Sequence, residues 1–415
     1  MNPKSILVSL LLLLPGAASA QEWTRVQDIP VGNVLSLRAQ DDTLLAGTRS
    51  LLYVSLDGGT TWRASNPVSV VDPFIQTALM RNGRLFIGTA GFGVLFSDDR
   101  GASWHAFNEG LVGGFLNTQL DVGDLEVRAD TLYAATFGAG LWFRSLNGGT
   151  WHSFGGEFEE NQAANVNDLE TDGKRLLASA GGNGSVFHRD PGEPAWAISW
   201  LNNVGLSPGL MAFGATFNGH AWVVGTLRGV SRSETGQEPW TLVDPGLGPI
   251  QRATFATQKR TLFAAFDIPN FALIEQSFDD GASWHILDVQ SQTFVLRLAS
   301  ARNQLFAART DGLWRRSIDT VSVPEASTSG LRFLVEGRQP VGDDVRLRFD
   351  LPAAAHVSIA LYDVRGRRVA PPVTGDWPAG SQAVSLDTRS LRPGVYEALL
   401  VADGRRAVTK LVRER

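Results

Sequence analysis

An apolar run six residues long recurs seven times: Thr43–Thr48 (TLLAGT), Arg84–Thr89 (RLFIGT), Thr131–Thr136 (TLYAAT), Arg175–Ala180 (RLLASA), Ala221–Thr226 (AWVVGT), Thr261–Phe266 (TLFAAF) and Gln304–Arg309 (QLFAAR). Each is followed by a Gly-containing or polar loop, a second apolar run and a turn. In six repeats a Trp then opens a short return segment: Trp62, Trp104, Trp151, Trp196, Trp240 and Trp284. Runs this short, rich in branched and aromatic residues and bounded by Gly and Asp, read as strands. Their spacing of roughly 40–47 residues is the length of one four-stranded blade. The pattern predicts an all-β chain that begins with a seven-bladed β-propeller.

The seventh repeat ends at Gly312–Asp319 (GLWRRSID) without a Trp-led segment. Such a segment occurs near the N-terminus instead, as Glu22-Trp23-Thr24-Arg25-Val26. It is therefore expected to supply the outer strand of the last blade and so close the ring, removing the open ends of a linear stack. After residue 319 the pattern changes. Residues 320–330 (TVSVPEASTSG) are small, polar and Pro-bearing, as a linker is. Residues 331–415 alternate with the two-residue period of a small Ig-like β-sandwich, through Asp344–Leu351, Val357–Val364, Ala383–Leu386 and Val395–Val401.

Composition narrows the setting. A chain of 415 residues accommodates two or three domains. Its 37 basic and 42 acidic residues form no basic stripe, which argues against a nucleic-acid partner. Lys4, the apolar stretch Ile6–Leu14 and Ala18-Ser19-Ala20 read as a secretory signal over residues 1–20, leaving residues 21–319 for the ring. That stretch is too short for a membrane span and none follows, so a secreted or outer-surface bacterial protein is expected. With no cysteine, neither a disulfide framework nor a thiolate metal site is available.

The turns before Trp share a chemistry. Ser55–Trp62, Ser97–Trp104, the shortened Ser145–Trp151 and Ser277–Trp284 are variants of Ser-x-Asp-x-Gly-x-x-Trp. Gly supplies positive φ, and the Asp carboxylate can accept from turn N–H groups that lack a ladder partner. The Trp packs into the sheet interface, where it hides roughly 150–250 Å². This motif resembles the Asp-box, or BNR repeat, of sialidases, xyloglucanases, sortilin-type receptors and photosystem assembly factors. Asp57, Trp62, Asp99, Trp104, Asn147, Trp151, Asp279 and Trp284 are accordingly read as structural. Two blades have lost the motif, at His188–Gly192 and Ser233–Gly236.

Leu351-Pro352, Leu361–Arg367, Leu391–Tyr396 and Lys410-Leu411-Val412 resemble the C-terminal sorting domain of type IX secretion substrates and the flagellar hook-cap Ig-like domain. Gly337-Arg338-Gln339-Pro340 stands where that family has an Asn-Pro turn. The resemblance implies passage across an outer membrane by type IX-like machinery, with removal of the domain or attachment to the surface.

In a propeller with such boxes, binding belongs on the opposite face. The loop-face candidates are Arg49, Phe92, Phe137, Asn183, Arg228, Asp267 and Asp311, joined by Trp200, Phe115, Phe158, Glu159 and Glu160 from inter-blade segments. Aromatic, amide and charged groups interleaved in this way suit an extracellular glycan, peptide or protein. The resemblance to sialidases implies three arginines, a Tyr nucleophile with a Glu partner, an Asp acid and an Arg-Ile-Pro segment. That segment is absent, and the two tyrosines in the ring, Tyr53 and Tyr133, fall in strands. Glycosidases generally need two carboxylates, for which Asp267, Asp311, Glu159 and Glu160 are the candidates. His105, His152 and His285 belong to three different blades and so cannot meet at one metal. Gly181–Ser185 lacks a following helix to hold a phosphate, and no Gly-x-Ser-x-Gly elbow occurs. The expectation is a non-enzymatic binding scaffold with no metal and no cofactor. A glycoside hydrolase on the same ring is the alternative.

Overall fold

The computed structural model describes residues 23–413 except 69–72, 113–118, 155–164, 181–183, 194, 202–210, 244–249, 269–270, 292, 319–331, 337–340, 364–367 and 403–404. The signal-like segment, the linker, Phe115, Phe158, Glu159, Glu160 and Asn183 lie outside these residues. Seven four-stranded antiparallel sheets follow one another along the chain and form a β-propeller. Their innermost strands are Ser36–Gln40, Ile75–Arg81, Val122–Arg128, Val166–Thr171, Ala212–Phe217, Arg252–Gln258 and Val295–Ala301. Each of the seven apolar runs forms the second strand of its blade, hydrogen-bonded to the inner strand on one side and the third strand on the other.

Burial on both faces explains why these second strands are continuously apolar rather than alternating. In the first two blades, Leu45 and Leu85 are almost fully buried with Ile75 and Ile87 in one cluster between adjacent sheets. The fifth position of the run is small because the inner strand of the next blade leans on it. A Cβ at Gly88 would lie 2.7 Å from Val122 Cγ1 and 3.0 Å from the Val122 carbonyl oxygen. At Gly225 it would lie 2.2 Å from the Ala253 Cβ. Ala135, Ser179, Ala265 and Ala308 occupy the corresponding place in four other blades.

The seventh sheet is assembled from both ends of the ring. Thr24–Arg25 lies antiparallel to Gly312–Ser317, with Thr24 opposite Arg315 and Arg25 opposite Trp314. Val26 N–H donates to the Leu313 carbonyl at 2.8 Å. Val26 and Ile29 are buried in the cluster joining the seventh blade to the first, and Trp23 packs on the sixth–seventh interface.

The C-terminal part is a two-sheet β-sandwich. One sheet holds Arg332–Glu336, Asp344–Leu351 and Gly380–Asp387; the other holds Val373–Trp377, Ala355–Asp363, Gly394–Ala402 and Arg405–Arg413. Leu347, Phe349, Val357, Ile359, Leu400 and Leu411 fill the space between the sheets. Val373–Trp377 (VTGDW) is too polar to stand out as a strand in the sequence. It pairs with Ala355–Ile359 at the edge, where Gly and Asp are tolerated.

Candidate functional site

The hydrogen bonds fix which loops share a face. The Asp-box turns sit against the hairpins that follow the inner strands: Gly58 N–H donates to Asp42 and Leu146 N–H to Asp130, both at 2.8 Å. At the other end, each inter-blade segment bonds to the loop after a second strand. Phe74 N–H reaches Arg49 at 2.9 Å, Phe137 N–H reaches Asp121 at 3.0 Å and Ile250 N–H reaches Leu227 at 3.0 Å.

In three boxes the turn chemistry is the same. Asp57 accepts from Ser55 Oγ and Thr61 Oγ1 at 2.8 and 2.6 Å, and from Thr61 N–H at 2.9 Å. Asp99 and Asp279 make the equivalent bonds to Ser97 and Ser103, and to Ser277 and Ser283. Hydrogen bonds from Thr61 and Ser55 depress the Asp57 pKa to about 2. In the shortened third turn Asn147 donates its N–H to Ser145 Oγ at 3.1 Å, as Asp57 and Asp99 do to their serines. Trp151, Trp196, Trp240 and Trp284 are buried, whereas Trp62 and Trp104 are half-buried. These aspartates already have several local donors, so their chemistry is consumed within the turn.

A channel of about 1200 Å³ runs along the inner strands. On the loop face Phe74, Phe137, Met211 and Phe213 line its mouth, together with Gln76, Asn167, Gln251 and Arg252. Phe74 and Met211 are 38% and 39% exposed, and Phe294 on the same face is 43% exposed. Each of these three immediately precedes an inner strand. Phe74 adopts φ 39°, a conformation costly for an aromatic residue, at about 1–3 kcal/mol. The Arg49 guanidinium lies 4.9 Å from the centre of its ring. The mouth is thus concave and amide-lined, and it presents apolar side chains that the fold does not bury.

Deeper in, the channel is charged. Arg38 donates to the Leu125 carbonyl at 2.5 Å and to the Glu126 carboxylate, and lies 3.8 Å from Asp124. Burial alone would lower the Arg38 pKa, but Glu126, Asp124 and Glu170 override it and hold it above the ordinary value. Asp124 accepts from Thr77 Oγ1 and from Leu169 N–H at 2.9 Å each, and Asp168 accepts from Ala215 N–H at 2.7 Å. These carboxylates therefore stitch successive inner strands together. Burial, aided by Asp124, raises the Asp168 pKa well above the usual carboxylate range. Burial, aided by Glu126 and Asp168, does the same for Glu170.

This predicts an unusual pH dependence. A carboxyl whose folded pKa is raised stabilises the fold while it stays protonated, and that contribution is lost as pH rises through the folded pKa. Asp168→Asn keeps an acceptor for Ala215 N–H and removes the charge. It should be more stable than the parent by about 1 kcal/mol or more at pH 8. The difference should vanish below about pH 3, where the parent is protonated in both states. Urea unfolding at the two pH values checks this; a variant less stable at pH 8 contradicts it.

Arg49 and Arg228 are exposed on loops of the open face, and Phe92 sits in a turn where its carbonyl accepts from Asn108 at 2.9 Å. Phe137 lines the channel. Trp200 ends the outer strand Ala197–Trp200 rather than lying in an inter-blade loop. Asp267 is inside the strand Thr261–Ile268, 3% exposed, because that strand and its partner Phe271–Ser277 extend beyond the apolar run. Its carboxylate accepts from Val295 N–H at 3.3 Å and lies 4.0 Å from Arg252. Burial raises its pKa to about 6. Asp311 accepts both Arg309 donors and Trp314 Nε1–H, each at 3.0 Å.

The sequence reading missed the inner strands, and with them Arg38, Asp124, Glu126, Asp168, Glu170, Arg252 and Arg297. A signal existed in the repeated Asp-Leu-Glu at 124–126 and 168–170, just ahead of two of the apolar runs. Among the described residues no group of His, Cys, Asp and Glu side chains is arranged to hold a metal ion. No helix among them is long and apolar enough to cross a membrane.

No family model matches the sequence. No curated protein matches it either. Solved structures do resemble it. YCF48 bound to D1 peptide superposes with a TM-score of 0.53 at 14% identity, covering 74% of this chain and 97% of that chain. YCF48 from Cyanidioschyzon merolae gives 0.52 at 13%, covering 71% and 98%. The extracellular domain of the one-component system BT4673 from B. thetaiotaomicron gives 0.52 at 13%, covering 95% of this chain and 59% of that one. At these identities the likeness is one of fold.

Proposed function

We propose that this chain is a non-enzymatic binding protein, secreted or held on the cell surface, whose channel mouth takes up a segment of a partner protein. The observation that carries this reading is that Phe74 and Met211 stay exposed at the rim of a concavity lined with amides and Arg252, with Phe294 exposed on the same face. A polypeptide segment supplies what such a surface lacks: apolar side chains for the rings, and backbone N–H and C=O groups for Gln76, Asn167 and Gln251. That YCF48 has been solved with a peptide bound supports a similar use of this fold here. The signal-like residues 1–20 and the sorting-like terminal motifs support export, with the sandwich (residues 331–415) serving passage or attachment.

A peptide array and a glycan array, run on the intact chain beside a panel of chromogenic glycosides, test the reading. Peptide binding that falls at least tenfold in Phe74→Ala, with melting unchanged to within a few degrees, is the expected result. Phe74 is an exposed aromatic of the kind that dominates binding energies. Glycoside turnover abolished by Asp267→Asn or Asp311→Asn would replace this reading with the hydrolase.

A further inference from the structure

Among the described residues, the terminal strands meet the ring against its sixth blade. In Gly394–Ala402 and Arg405–Arg413, the side chains of Tyr396, Ala398, Leu400 and Leu411 face the sandwich core. By the two-residue period of a strand, Val395, Lys410 and Val412 face the other way. Val395 and Val412 are 3% and 5% exposed, packed in the ring's own cluster with Leu273, Phe266 and Trp284 of the sixth blade. Beside them the Lys410 ammonium pairs with the carboxylate of Glu275, a side chain with no exposure at all, in the strand Phe271–Ser277. No β-ladder joins sandwich to ring among the described residues.

We propose that the sandwich is held on the ring by a releasable latch, with Lys410 and Glu275 as the catch, and that the docked state masks the outward face of the last strand. A permanent interface within a chain is large and apolar; this one combines two valines with an ion pair, as transient interfaces do. Burying two charges costs nearly what their attraction returns, so exchanging the pair for two hydrated ions is close to neutral. A partly lifted sandwich is the unfavourable state, because Glu275 would lose its cation before water replaced it. The contact is therefore two-state: seated, or fully released with both charges in water. Release uncovers Lys410 and Val412, part of the terminal motif singled out in the sequence, so a partner that reads that face must first compete with the ring.

The chain has no cysteine, so a spin-label pair can be placed without background. Labels at His105→Cys on the ring and Ser381→Cys on the sandwich, both exposed positions, report the distance between the two bodies by pulsed electron resonance. One narrow distance is expected for the parent. Lys410→Glu should broaden it, with the docked fraction falling at least tenfold, and adding Glu275→Lys should bring the narrow distance back. Lys410→Met, which keeps the apolar stem, should broaden it too, and near-ultraviolet dichroism verifies that the sandwich stays folded in each variant. A broad distribution in the parent, or the same narrow distance in all four proteins, would overturn the proposal.

Discussion

Removing residues 23–26 should lower the stability of the ring by about 4 kcal/mol, or roughly 6 °C in melting temperature for a body of this size. The deletion takes away Val26, which is 5% exposed in the seam between the last and first blades. It also removes the partly buried Trp23, over which the Arg316 guanidinium lies 5.9 Å from the ring centre. The strand Gly312–Ser317 would then present an unpaired edge, so concentration-dependent association should accompany the loss. Calorimetry and sedimentation of the deletion beside the parent check both effects. Unchanged melting would mean that Thr24–Arg25 does not fasten the ring.

The second large effect is expected at the centre of the channel. Arg38→Met removes the cation that faces Glu126, Asp124 and Glu170, leaving their carboxylates without it in a half-dry space. Breaking such a group from one side costs about 3 kcal/mol at pH 7.5, allowing for the partial exposure of the guanidinium. Burial already raises the Glu126, Glu170 and Asp168 pKa values, and loss of Arg38 raises them further. The folded variant then binds protons more readily than the unfolded chain, so its deficit should shrink as pH falls towards 5. A loss of the same size at both pH values would point to packing rather than charge.

The ring was legible in the sequence because its second strands are buried on both faces and so carry an unbroken apolar signal seven times over. The small fifth residue of each run, Gly88 or Gly225, now has a cause in the close approach of the next inner strand. The inner strands escaped because they line a wet, charged channel and alternate only weakly; Asp124-Leu125-Glu126 looks like a polar loop until its carboxylates are seen bonded across blades. The site was half legible. Loop positions such as Arg49 and Phe137 follow from blade phase, whereas Phe74, Met211 and Phe294 sit one residue before inner strands that had not been marked. Asp267 shows the opposite error. A carboxylate drawn in a loop lies in a strand, buried beside Arg252, because the sixth blade has a longer central hairpin than its apolar run indicates.

In the proposed function the open mouth, and not the Asp-box face, receives the partner. Hydrogen-exchange mass spectrometry of the intact chain, with and without a peptide selected on the array, tests it most directly. Slowed exchange is expected at the inter-blade and second-strand loops around Arg49, Phe74, Arg228 and Phe294, with no change in the turns at Asp57, Asp99 and Asp279. Protection confined to the Asp-box turns would contradict it.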